Sequence, residues 1–251
     1  MILLKSEREL RYIRKCNRIV AEVHQALEEV IRPGVTTAEL GELVAKLIRE
    51  REAEPAFRGY RGFPGDICSS VNEEVVHGIP GPRKLISGDI LSLDIGVRKD
   101  GYYGDAAITW PVGKISGEKI RLIEVTRRAL YKGIDQARVG GRLYDISHAI
   151  QTEVEAEGFS VVRDFVGHGI GTKMHEDPQI PNFGAAHRGP RLKRGMVLAI
   201  EPMVNMGRYE VKVLSDHWTV VTRDGKPSAH FEHTILVTED GPEILTEINN
   251  R

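Results

Sequence analysis

The sequence predicts an α+β fold built from two similar halves. Apolar stripes at helical spacing come in two pairs, strand-like runs follow each pair, and no linker or low-complexity segment separates the two sets. No repeat of fixed period accompanies this duplication of elements. A chain of 251 residues can bury a full hydrophobic core, and we expect one domain spanning 1–251. With 41% apolar and 28% charged residues, the composition is that of an ordinary globular protein. A net charge of −1 and a pI near 6.8 exclude bulk attraction to nucleic acid or anionic membrane. Two cysteines, Cys16 and Cys68, make no disulfide framework, so a reducing cytoplasm is expected. The apolar start MILL is too short for a signal-peptide core, and no window approaches the roughly 20 apolar residues of a membrane helix.

The elements follow in order. Ser6 with Glu9 three residues on is a capping box, and Leu10, Ile13, Val20 and Leu27 recur at helical spacing, so 6–31 reads as a helix ended by Pro33-Gly34. Thr37 reads as the cap of a second helix, 37–52, whose stripe is Leu40, Leu43, Val44, Leu47 and Ile48. From Pro55 to Pro82, Gly, Pro and aromatic residues mark short strands and loops. Residues 90–98 and 102–112 read as strands around a turn at Lys99-Asp100-Gly101. Helices are expected over 117–137, opened by Ser116, and 143–157, closed by Gly158. Strand-like runs then cover 160–166, 196–205, 210–214, 217–222 and 230–238.

Acidic residues interrupt these apolar strands. Asp94 lies between Leu93 and Ile95, where an unpartnered carboxylate is costly. A Lys99-Asp100 loop sets Asp94 opposite Asp105; the favoured Asp100-Gly101 pair makes them diagonal neighbours on the same face; a three-residue loop would separate them. Like charges there repel unless a cation binds, although turns are rich in Asp for ordinary reasons. Glu201 ends the apolar run VLAIEPMV, and Glu232 begins another in SAHFEHTILV. His168 lies between glycines in FVGHGIGTKMHEDP, with His175 seven residues later. Four buried carboxylates and one imidazole suit Mn, Fe(II), Co or a catalytic Zn pair better than a thiolate-bound structural zinc, and their charge suits two divalent ions. The chemistry of such a pair is hydrolysis.

These motifs resemble the type I methionine aminopeptidases, of the pita-bread metallopeptidase family. VNEEVVHGIP, LSLDIGVRKDGYYGDAAITW, VGHGIG with HEDPQIPNF, VLAIEPMV and AHFEHTILV carry the match, in order, over nearly the whole chain. The resemblance implies a pita-bread fold, with a curved antiparallel sheet covered by helices. It implies that Asp94 binds one metal, that Asp105 and Glu232 bridge two, and that His168 and Glu201 bind the second. Glu201 would also handle the proton of the attacking water. His77 would meet the scissile amide nitrogen, and His175 the carbonyl oxygen as it becomes an oxyanion. The reaction implied is removal of the initiator methionine from nascent chains, with a small second residue preferred.

By the same resemblance, Phe57, Tyr60, Phe63, Cys68, Met174 and Trp218 would form an apolar, adaptable methionine pocket. A monovalent cation would sit near Asn72 and Ser228. Prolidases carry a further N-terminal domain and type II enzymes an inserted helical segment. The short stretch from Glu201 to Glu232 leaves no room for that insertion, so the compact type I form is expected. The expected partners are N-termini of nascent polypeptides, with transient ribosome association; the expected state is a monomer. An aminopeptidase or dipeptidase with another first-residue preference, and a non-catalytic interaction module, are the rival readings.

Overall fold

A computed structural model describes residues 1–247. Helix α1, Glu7–Leu27, opens with the expected capping box: the Glu9 N–H donates to Ser6 Oγ, and the Glu9 carboxylate accepts the Ser6 N–H at 2.8 Å. It ends with its stripe at Leu27 rather than at the expected residue 31, because the Leu27 carbonyl accepts from both Val30 and Ile31 and closes a turn. Helix α2, Thr37–Glu50, is capped by Thr36, not Thr37. Only Thr36 has a glutamate three residues on, and Glu39 returns the bond to the Thr36 N–H at 2.7 Å. Thr37 is buried and donates instead to the Gly81 carbonyl at 3.0 Å. Helices α3, Gly117–Ile134, and α4, Leu143–Ala156, form the second pair, with Ser116 capping α3 as expected.

The first half carries strands β1 (Glu54–Pro55), β2 (Cys68–Val71), β3 (Glu74–Val76), β4 (Ile90–Lys99) and β5 (Tyr102–Pro111). The second half carries β6 (Ser160–Val161), β7 (Gly167–Gly169), β8 (Glu176–Ile180), β9 (Val197–Ile200), β10 (Met203–Asn205), β11 (Val211–Val213), β12 (Val220–Thr222), β13 (Ser228–His230), β14 (His233–Thr238) and β15 (Gly241–Ile244). Strand order is β1-β4-β2 with β5 on β4 in one sheet, and β15-β14-β9-β7-β8 in another; β13-β10-β6 and β11-β12-β3 complete the set, all antiparallel. The expected run 196–205 breaks at Glu201-Pro202, since proline has no N–H for the ladder. Likewise 230–238 breaks at Phe231-Glu232. Strands β8 and β15 escape the sequence pattern because Asp-Pro and Gly-Pro pairs make them read as loops.

Each helix pair covers one sheet. Val20, Val23 and Leu27 of α1 and Leu40, Val44 and Ile48 of α2 pack on Leu91, Leu93 and Ile95 of β4. Leu122, Ala129 and Leu130 of α3 and Ile146 and Ile150 of α4 pack on Leu198, Ile200 and Ile235. The halves join where the Glu232 N–H donates to the Ala107 carbonyl at 2.8 Å and the Ala107 N–H returns to Glu232 at 3.4 Å. This seam brings the tip of the second half's sheet against the Asp94–Asp105 hairpin.

Helix α1 lies so close to β5 that a Cβ on Gly104 would stand 2.7 Å from the Asn17 backbone nitrogen. Gly104→Ala must separate helix from strand and is expected to cost about 1–3 kcal/mol in urea denaturation. Gly101, at φ 82 in the hairpin turn with open space around it, should cost about 1–2 kcal/mol from backbone strain alone. Unchanged unfolding midpoints would refute both assignments.

Candidate active site

The β4–β5 register pairs Lys99 with Tyr102, Asp94 with Ala107 and Gly96 with Asp105. The loop is therefore Asp100-Gly101, with left-handed φ of 53° and 82°, and the two aspartates are diagonal neighbours. Of the loops open to the sequence, two of two residues and one of three, this is the one with the favoured turn. The Asp105 backbone is clamped from both sides: its N–H donates to Asn17 Oδ1 at 3.3 Å, and its carbonyl accepts from Thr234 Oγ1 at 2.8 Å. Glu232 arrives through the seam. Glu201 follows β9 directly, its carbonyl held by Asn182 Nδ2 at 3.0 Å. His168, in β7, pairs with Ala199 of β9 and so stands beside it.

His168 Nδ1 lies 2.9 Å from the Gly169 carbonyl, which can only accept. That bond assigns the proton to Nδ1 and leaves a lone pair on Nε2. Nε2 faces Glu201 Oε1 at 3.5 Å and Asp105 Oδ2 at 4.0 Å. Ligand-type atoms of Asp105, His168 and Glu232 all lie within 4.8 Å of one another. Asp94 Oδ1, Asp105 Oδ1 and Glu232 Oε1 are buried without a hydrogen-bond partner among the described residues. Three carboxylate oxygens thus face one another without a hydrogen-bond partner among the described residues, an arrangement a cation would satisfy. The donor set is oxygen-rich with one nitrogen and fits a divalent metal.

The titrations express the same repulsion. Burial pushes Asp94 up to about 7, against the pull of His230, and pushes Glu201 up to about 7, against His168. Asp105 and Glu232 rise well above the carboxylate range, by burial first and then by the neighbouring carboxylates.

Phe57, Tyr60, Phe63, Cys68 and Trp218 line a cavity of about 130 Å³ that opens on all five candidate ligands. Met174 does not reach its wall. It is buried behind it, where its Cε and the Phe57 ring close over Gly96. His77 and His175 stand at the mouth. His77 holds a left-handed φ of 60°, a strained conformation for a side-chain residue, with its ring edge-on to Phe165 at 5.5 Å. His175 accepts or donates at Nδ1 to the Tyr60 hydroxyl at 2.8 Å, and its ring lies 4.2 Å from that of His168. Burial, then the charge of His230, lowers His77 to about 4; burial, then His168, lowers His175 to about 3. Both imidazoles are neutral at neutral pH.

Two neighbours of this site have no signal in the spacing of the sequence. His230 is buried with Nε2 3.6 Å from Glu201 Oε2, and Arg61 lines the cavity mouth. Asn72 and Ser228 do meet, the Ser228 N–H donating to the Asn72 carbonyl at 2.8 Å. The Lys119 ammonium also reaches that point, 2.8 Å from Asn72 Oδ1 and 2.6 Å from the Gly88 carbonyl.

Residues 11–239 match metallopeptidase family M24, and the chain belongs to that family. Several relatives that match it over nearly all of both chains are methionine aminopeptidases. The methionine aminopeptidase 1 of Bacillus subtilis is 58% identical over 99% of this chain and 100% of its own. A solved methionine aminopeptidase from Thermotoga maritima superposes with a TM-score of 0.97 at 48% identity, covering 99% of this chain and 100% of its own. That of Rickettsia prowazekii gives 0.97 at 43% identity, over 98% and 100%.

The repulsion among carboxylates is measurable in metal-free protein. A carboxyl whose folded pKa lies above its unfolded value keeps its proton longer in the native state, so stability is lost as pH rises from about 4 through about 7. Asp94→Asn removes that loss. Metal-free Asp94→Asn should be more stable than metal-free wild type at pH 8, by up to about 1.4 kcal/mol for each pKa unit of displacement. The advantage should vanish near pH 4. Urea denaturation at both pH values checks it; a variant less stable at pH 8 contradicts the reading.

Proposed function

We propose that this chain removes the N-terminal methionine from nascent proteins and peptides by hydrolysing the first peptide bond, with a small second residue preferred. The observation that carries the reading is the cluster of Asp94, Asp105, His168, Glu201 and Glu232, with three unpartnered carboxylate oxygens, at the floor of a small apolar, aromatic cavity. Two divalent ions would be held there: one by Asp94, a second by His168 and Glu201, with Asp105 and Glu232 shared between them. Mn, Fe(II), Co and Zn all suit the donors. Bound metal would make a water acidic and polarise the substrate carbonyl.

The chain's own residues do the rest. Phe57, Tyr60, Phe63, Cys68 and Trp218 would enclose the methionine side chain, with Met174 supporting Phe57 from behind. Glu201, at the edge of the cluster, would take a proton from the attacking water and return it to the leaving amine. With the Tyr60 hydroxyl donating to Nδ1, His175 keeps its proton on Nε2 and offers that N–H to the carbonyl oxygen as negative charge develops. His77, held neutral at the opposite side of the mouth, would meet the scissile amide nitrogen. The Asn72 carbonyl keeps a second lone pair, where a monovalent cation would bind together with Ser228.

The substrates would be met in the cytoplasm as they leave the ribosome, by a monomer of one catalytic domain. No helix among the described residues is long and apolar enough to cross a membrane.

Metal-loaded protein should release methionine from Met-Ala-Ser and little from Met-Lys-Ser, as read by amino-acid analysis. Faster cleavage of Xaa-Pro dipeptides would sink the reading in favour of a prolidase. Chelation, Asp105→Ala or Glu232→Ala should each abolish release. Glu201→Gln should lower kcat by about 100-fold or more, the usual worth of a general base. Its metal affinity by calorimetry should fall much less; normal turnover would remove Glu201 from proton transfer.

A further inference from the structure

Arg61 has no part in the chemistry above, yet its placement is costly. It holds a left-handed φ of 51° inside the 3-10 turn Tyr60–Gly62, a conformation worth about 1–2 kcal/mol of strain for a residue with a side chain. Three residues earlier, Arg58 is locked in two bonds to Asp66 at 2.8 and 2.7 Å. Arg61 is exposed, and among the described residues its guanidinium has no carboxylate or carbonyl partner; it stands 5.5 Å from the Tyr60 ring. Its side chain lines both the closed cavity and a wider outer groove that continues from it past His77 and His175.

The charge left open on that wall is positive. Lys173, beside His175, is exposed to the same groove. Of the groove's acidic residues outside the metal cluster, Glu176 is paired with the buried Lys5, while Asp177 is exposed at its edge. Asp164 also lines the groove, next to Phe165, and has no ion-pair partner among the described residues.

An extended peptide sends alternate side chains to the same face, with a rise of about 3.3 Å per residue. On the reading that the first side chain enters the aromatic cavity, the second points away and the third returns to the cavity wall, about two residues further out. Tyr60 belongs to the cavity and Arg61 follows it towards the groove. We propose that Arg61 reads the third residue of the substrate and favours an acidic side chain there. This rests on the aminopeptidase reading and adds a second recognition point to it.

The test uses C-terminally amidated tetrapeptides, so that no terminal carboxylate competes: Met-Ala-Asp-Ser, Met-Ala-Asn-Ser and Met-Ala-Lys-Ser. The readout is the Asp-to-Lys ratio of kcat/KM in metal-loaded protein, in which any general loss of activity cancels. Wild type should favour Asp by roughly two- to tenfold at low salt, as a solvent-accessible charge pair allows, with the preference falling as salt rises. Arg61→Gln should bring the ratio near one, Arg61→Lys should keep part of it, and Arg61→Glu should favour Lys. A wild-type ratio near one, or a wild-type ratio retained in Arg61→Gln, overturns the proposal. So does an equal loss on all three peptides with the ratio intact, which would make Arg61 a support for Tyr60 and His175. No methionine release from the neutral Asn peptide by wild type would overturn the aminopeptidase reading itself, and this assignment with it.

Discussion

Four carboxylates set side by side, Asp105 and Glu232 buried and Asp94 and Glu201 half-buried, are the constraint around which the chain is organised. Isolated burial of one such group is costly, and each neighbour adds to the cost. The fold meets the cost by rigidity. Asp105 is clamped through its backbone by Asn17 and Thr234, Glu232 is tied to Ala107, and Asn182 fixes the carbonyl of Glu201. None of these bonds reaches a carboxylate oxygen. They hold the backbone and leave the acceptors bare, which is what a cation site requires.

The histidines divide by the partner each ring nitrogen finds. His168 gives its Nδ1 proton to a carbonyl and so presents a lone pair to the cluster. His175 has a hydroxyl at Nδ1 and can present a proton instead. Two imidazoles with rings 4.2 Å apart can thus take opposite roles, set by one backbone carbonyl and one tyrosine. Desolvation beside the cavity lowers both His175 and His77, so neither adds positive charge beside a metal at neutral pH.

Much of this was legible in the sequence, and for physical reasons. Asp94, Asp105, Glu201 and Glu232 interrupt apolar strands where carboxylates are disfavoured, and an Asp-Gly turn specifies a hairpin register, so both the cluster and its geometry left local traces. The helices were legible through their apolar stripes; their ends were less so, because Thr36 and Thr37 differ as caps only in which has Glu39 three residues on. Contacts made across the fold left no such trace. Nothing near His230 announces that its imidazole faces Glu201, and nothing near Asn17 that it receives the Asp105 N–H from another element. Met174 shows the limit of motif alignment: it lies one residue before His175 but is turned inward, behind the wall to which its neighbour belongs.

The seam at Ala107 and Glu232 makes the centre the joint property of two halves. One half brings Asp94 and Asp105; the other brings His168, Glu201 and Glu232. Neither set is a complete cation cage, so ions held between them would act as a clasp. Part of their binding energy would appear as docking energy between the halves. Occupancy and interdomain-like breathing would then be a single equilibrium, and the two amides of the seam would exchange with solvent at rates set by how firmly the clasp is closed.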